Sequence, residues 1–147
     1  MSIKERHKLF YDFGKRFVGQ SYSIGICDCN LIALSAIDLI LNTNYFERLF
    51  GKYDNIKDGL RFSKKETGFY RISDILVYNK AYEISVTYAQ AGDIFITKDV
   101  GAFDSCSLCL GDGVFVSAVE GGAASIKTVD LLEVQKLNKT RAYRLPH

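Results

Sequence analysis

Two short cysteine pairs stand out in the sequence, Cys27-x-Cys29 and Cys106-x-x-Cys109, together with two histidines, His7 and His147. Cys29 has the more telling surroundings. It closes the run Tyr22-Ser23-Ile24-Gly25-Ile26-Cys27-Asp28-Cys29. Asp28 is a good N-cap, which puts Cys29 in the first turn of a helix. Unpaired backbone N–H groups and the positive end of the helix dipole there favour thiolate over thiol. A cysteine nucleophile needs that environment. The same residue can also be read as a small buried side chain filling a helix–sheet contact. A nucleophile further needs a base and a group to orient it. His7 falls near the apolar stripe of an expected first helix, and His147 is the final residue. Neither is expected on the strands that should face Cys29.

The four thiols suggest a second chemistry, a zinc ion held by four thiolates. The spacing argues against it. Cys106 and Cys109 fall on an expected strand, where odd spacing points them to opposite faces. A disulfide between Cys27 and Cys106 would require the strand to cross the helix start. Asp93 is expected to pin the turn that enters its strand. Gly121-Gly122 reads as a turn, because no Lys-Ser/Thr follows it as in a phosphate loop.

The elements that must position these residues can be read from the periodicity. Ser2-Ile3-Lys4-Glu5 is a capping box, and Phe10, Phe13 and Phe17 recur at helical spacing, giving a helix over residues 3–17. The helix expected over residues 29–41 is apolar nearly all round and must be the buried centre of the fold. Residues 54–66 and 73–78 give two further helices, the first stopped near Gly68. Then the period changes. Residues 84–86, 94–97, 106–110 and 114–118 read as strands, with Gly111-Asp112-Gly113 as a hairpin turn between the last two. Residues 124–129 and 141–145 could add strands. Helices first and an antiparallel meander second is the pattern of an α+β domain.

Length and composition agree with one such domain over residues 1–147. Hydrophobic residues make up 48% and aromatics 13%, a globular composition. Nineteen basic against 17 acidic residues leave a net charge of +2, which gives no warrant for a nucleic-acid partner. No run reaches the roughly 18 apolar residues of a membrane span, and the N-terminal residues lack the pattern of a signal peptide. The expectation is synthesis in a cytoplasm, with four free thiols.

Three motifs in order carry a resemblance: Tyr22-x-x-Gly25 before Asp28-Cys29, then Ala91-Gly92-Asp93-Ile94-Phe95, then Leu110-Gly111-Asp112-Gly113-Val114-Phe115. Together they resemble the NlpC-type cell-wall cysteine peptidases, which have a papain-like fold. They are closer still to a set of small phage proteins of uncharacterised function with the same frame. The resemblance covers roughly residues 17–145. It implies that Cys29 stands at the nucleophile position and Tyr22 at the tyrosine near the oxyanion region. It puts the histidine position on Ser105 or, by a one-residue slip, on Asp104 or Cys106. None of these is an imidazole, and serine cannot take up a thiol proton near neutral pH. Asn30 and Leu31 also stand where small residues usually follow the Asp-Cys pair.

The resulting expectation is a non-enzymatic structural or interaction protein of a phage virion, in its tail or ejection apparatus. It would be built on a degenerate cysteine-peptidase frame, with Cys29, Tyr22 and Ser105 as vestigial site positions. It would have no cofactor and no metal. Its partners would be other virion or tail proteins, or further copies in a homo-oligomer. It would be made in the host cytoplasm and carried in the virion. Tyr45, Phe46, Phe50, Tyr53, Phe69 and Tyr70 could supply the interface or cover the core. The alternatives are an active cysteine peptidase or amidase acting on cell-wall peptides, and a zinc-stabilised binding module.

Overall fold

A computed structural model describes residues 2–98, 104–118 and 121–146. Helix α1 (Ile3–Lys15) opens with the capping box: Ser2 N–H donates to Glu5 Oε2 at 2.8 Å, and Glu5 N–H donates to Ser2 Oγ at 3.1 Å. Helix α2 (Cys29–Leu41) follows, then α3 (Tyr45–Leu49), α4 (Ile56–Thr67) and α5 (Ile72–Tyr78). Strand β1 (Tyr82–Ile84) leads through a 3-10 turn (Val86–Tyr88) to β2 (Ile94–Lys98), β3 (Asp104–Gly111), β4 (Val114–Ser117) and β5 (Ser125–Thr128). Helix α6 (Leu131–Leu137) and strand β6 (Thr140–Arg144) complete the described chain.

The architecture is α+β, with most helices in the N-terminal half and an antiparallel six-stranded sheet in the C-terminal half. The sheet order is β1-β6-β2-β3-β4-β5. Strands β2 to β5 form a meander, whereas the strand expected over 84–86 falls at Tyr82–Ile84 and pairs with β6. Strand β6 does not extend the meander. It returns to insert between β1 and β2, pairing Tyr143 with Ile94 and Ala142 with Glu83's neighbour Ile84. A buried ion pair fixes this return: Arg144 donates to both oxygens of Asp93, at 3.0 and 2.8 Å. Asp93 also accepts from Gln90 N–H at 2.7 Å, so it does pin the turn entering β2.

Alternation along the strands builds two cores. Ile94, Ile96, Cys106, Leu108 and Val116 face the helical side. Leu31, Ile32, Leu34 and Ile37 of α2 pack into that same core and are almost wholly buried, each worth about 2–3 kcal/mol of transfer free energy. The opposite face carries Phe95, Cys109, Phe115 and Ala142, packed with Val86 and with Leu131 and Val134 of α6. Cys106 and Cys109 therefore do lie on opposite faces of β3.

Candidate functional site around Cys29

The loop entering α2 is held from several sides. Ser23 and Cys27 exchange main-chain hydrogen bonds at 3.0 and 2.8 Å, closing a tight turn. Gly25 sits in that turn at φ +89°, and a Cβ there would fall 1.8 Å from the Tyr53 carbonyl oxygen. Only glycine meets both constraints. Asp28 caps α2 as expected, accepting from Leu31 N–H at 2.8 Å. Its other oxygen accepts from Gly25 N–H at 2.9 Å and from the Tyr53 hydroxyl at 2.7 Å. This buried carboxylate is a structural anchor, and next to it burial pushes the Tyr53 phenol well above its ordinary pKa.

Cys29 is the first residue of α2 and half-buried. Its sulfur meets the start of β3. Cys106 N–H donates to Cys29 Sγ at 3.4 Å. The Asn30 side-chain amide donates to the same sulfur at 3.8 Å, and the thiol reaches the Asp104 carbonyl oxygen at 3.8 Å. The Cys106 thiol contacts the same carbonyl oxygen at 3.7 Å. The neighbouring Cys106 side chain, with the Cys106 N–H, holds the Cys29 thiol below its ordinary pKa against the opposing effect of burial. Cys106 is pushed well above its ordinary value by the neighbouring Cys29 and by its own burial. In this pair Cys29 is the thiol disposed to ionise and Cys106 the one that keeps its proton.

Asp104 is fully buried, and its carboxylate is engaged elsewhere. One oxygen accepts from Ser73 N–H at 3.1 Å and from Ser73 Oγ at 2.9 Å; the other faces Arg71 Nη1 at 3.3 Å. Of the three positions expected opposite the nucleophile, the two one-residue slips point inward, Asp104 to Ser73 at the start of α5 and Cys106 to Asn30 of α2. Ser105 is exposed, paired in register with Thr97. The alternation of the strand makes this unavoidable, because its neighbours on both sides point inward. Tyr22 is half-buried against the helical-side core, and its N–H donates to the Gly122 carbonyl at 3.0 Å.

His7 is remote from the sulfur. Its ring packs over Gly111, where an added Cβ would meet it at 2.8 Å, and Nδ1 stands 3.8 Å from Asp112 Oδ2. Gly111 is the last residue of β3, whereas Cys29 contacts Cys106 near its first. Five residues of strand separate the two places, about 17 Å. His7 lines an open hollow of about 550 Å³ at that end, beside Thr87, Asp112 and Leu131. His147 lies outside the described residues.

The cysteines do not gather into a metal centre. Cys109 is on the far face of the sheet, and among the described residues no group of three or more His, Cys, Asp or Glu could hold an ion. The Cys106 side chain adjoins Cys29, whereas the pairing considered from sequence was with Cys27. Among the described residues no helix is long and apolar enough to cross a membrane.

Residues 3–140 match a family described as a domain of unknown function, DUF6950. The chain belongs to this family. The match takes in α1 through the start of β6, and so includes Cys29, Asp104 and Cys106 of this DUF6950 domain. No curated protein and no solved structure matches the chain.

Four contributors to this site come from distant parts of the sequence. Tyr53 reaches Asp28 from 25 residues away, Ser73 reaches Asp104 from 31, and Cys106 reaches Cys29 from 77. Arg71 completes the group. They meet only because α2, α5 and β3 pack together.

Proposed function

We propose that this domain is a non-enzymatic structural or interaction module on a degenerate papain-like, NlpC-like cysteine-peptidase frame, working among virion or tail proteins of a phage. The observation that carries the reading is what faces the Cys29 sulfur: a main-chain N–H, a carbonyl oxygen, an amide and a second thiol. None of these takes up a thiol proton near neutral pH. Cys106 keeps its own proton instead of accepting one. Asp104, the one titratable acceptor on this part of β3, already serves Ser73 and Arg71. A cysteine at the start of a buried helix, packed on an antiparallel sheet, keeps that layout with no base at the sulfur among the described residues.

The likeness of the Asp28-Cys29 and Gly-Asp motifs to small phage proteins supports the virion setting. Exposed Tyr70, Val77 and Tyr78 around α5 offer surface of the kind that protein interfaces use. By contrast, Tyr45 and Tyr53 belong to the core.

One observation favours a second reading. The depressed Cys29 thiol suits an active cysteine hydrolase, whose base would then come from a partner subunit. A single assay separates the two. Amide and peptidoglycan-peptide substrates are incubated with the native protein and with Cys29→Ala. We expect both to match the background rate. Turnover that vanishes with the thiol would overturn the proposal, and finding the protein in purified particles by mass spectrometry would support the setting.

A further inference from the structure

The paired sulfurs at the junction of α2 and β3 have a chemistry that does not depend on any histidine. Both thiols contact the same carbonyl oxygen, that of Asp104: Cys29 Sγ at 3.8 Å and Cys106 Sγ at 3.7 Å. Both also contact one side chain, Asn30, whose Nδ2 donates to Cys29 at 3.8 Å and whose Oδ1 accepts from Cys106 at 3.9 Å. The Cys106 nitrogen is 3.4 Å from the Cys29 sulfur. One N–Cα bond further, Cys106 Cα lies within about 5 Å of that sulfur. Two cysteines placed this way can be bridged with little backbone movement.

We propose that Cys29 and Cys106 form a thiol–disulfide exchange site whose reaction partner is a low-molecular-weight disulfide of the glutathione class. Exposure sets the order of events. Cys29 is the less buried of the two, half-buried where Cys106 is 5% exposed. The Cys29 thiolate attacks one sulfur of the reagent RSSR. A Cys29–SR bond forms, the reagent's S–S bond breaks, and RS⁻ leaves and takes a proton from solvent. Cys106 then gives its proton to solvent base and attacks the Cys29 sulfur. The Cys29–Cys106 bond forms, the mixed disulfide breaks, and a second RS⁻ leaves. Two protein thiols are oxidised by two electrons, and one RSSR is reduced to two RSH.

The lowered pKa suits the entry sulfur, and Cys106 resolves by its nearness to that sulfur rather than by ready ionisation. Cys27 and Cys109 are buried, and burial raises the pKa of each. They take no part in this reaction. The product would tie the first turn of α2 covalently to the start of β3, and a reducing environment would release it.

The test uses the full chain with reduced and oxidised glutathione in varying ratio. Samples are acid-quenched, and intact mass is followed by peptide mapping of alkylated samples. The expected result is a product lighter by two hydrogens, a Cys29–Cys106 cross-linked peptide, and alkylation of Cys27 and Cys109 only after unfolding. Cys106→Ser should stop at a glutathione adduct on Cys29. A bridge through Cys27 or Cys109, a native protein that stalls at the adduct, or recovery of both thiols free under oxidising ratios would each overturn the proposal. If Cys106→Ser fails to fold, the mapping of the native protein decides alone. Disulfide mapping and hydrolase turnover are separate readouts, so this site can fail while the non-enzymatic reading stands, and the reverse.

Discussion

The two ends of β3 carry a thiol and an imidazole, the two halves of a nucleophile–base pair. At the Asp104–Cys106 end a thiol sits at a helix start, its ionisation favoured, with no imidazole against it among the described residues. At the Gly111 end an imidazole, His7, sits over the strand beside a carboxylate, with no thiol against it among the described residues. Proton transfer needs heavy atoms about 3 Å apart. The strand holds these halves about 17 Å apart, and closing that gap would mean sliding α1 by roughly three helical turns. No side-chain rotation or loop adjustment covers such a distance. Residue inventory alone would have counted a cysteine and a histidine as a candidate pair; the strand between them shows that they are not one.

The two ends also differ in what their polar groups do for the fold, and the largest expected effect tests this. Asp104 is buried and serves three donors, from Ser73 and Arg71. Asp104→Ala leaves the Ser73 N–H and hydroxyl buried without their acceptor and should cost about 2–4 kcal/mol. Arg71 is about one-third exposed and can turn to water, which keeps the figure from the top of the range for broken buried pairs. His7→Ala removes a long contact to an Asp112 that is 87% exposed, and should cost about 1 kcal/mol or less. Urea unfolding of both variants gives the comparison directly. Equal losses would mean that the hairpin end is held by its polar contact as firmly as the sulfur end.

The second effect is a pH dependence. Burial pushes the Cys109 thiol up to about 12, and Cys27 is raised for the same reason. Unfolded thiols ionise near about 8.5. Between these values the unfolded chain binds fewer protons than the folded one, so stability falls as pH rises. The contribution is fully present below the unfolded value and lost by about 12. Cys29 runs the other way: its folded value is depressed, so its contribution grows as pH rises toward the unfolded value. Urea midpoints measured from about pH 8 to pH 11 with reductant present should fall, and Cys109→Ala should flatten the fall. A Cys109→Ala slope equal to that of the native protein would assign the alkaline loss to other groups.

Much of the sulfur end was legible in the sequence because its signals are local. Asp28 and Cys29 announce a capped helix, and the apolar run after them announces its burial. Asp130 with Glu133 is a comparable local signal for α6: Asp130 accepts from Leu132 and Glu133 N–H, so that helix could have been found. Helix α3 could not be found this way. Its first N–H groups are served by Asp38, which bonds Tyr45 and Phe46 N–H at 2.9 Å from inside the preceding helix. The insertion of β6 was hidden for the same reason, since the Arg144–Asp93 pair that directs it spans 51 residues. Periodicity reports which face a residue takes, and not which distant partner will meet it there.

The smallest expected effect bears on the face assignment at the sulfur end. The motif resemblance places a histidine position on Ser105 in the first instance, with its neighbours as slips. The strand turns Ser105 outward and Asp104 and Cys106 inward. Ser105→His should therefore change stability by less than about 0.5 kcal/mol, because an exposed strand position accepts an imidazole. It should also leave the pH profile of Cys29 alkylation unchanged, because a ring on the outer face cannot reach a sulfur on the inner one. Alkylation by iodoacetamide, followed at Cys29 by peptide mapping, reads this directly. An added step near pH 6.5, the ordinary histidine value, would show that the start of β3 can roll its outer face inward. The distance between the two ends of the strand would then no longer be what keeps the thiol without a base.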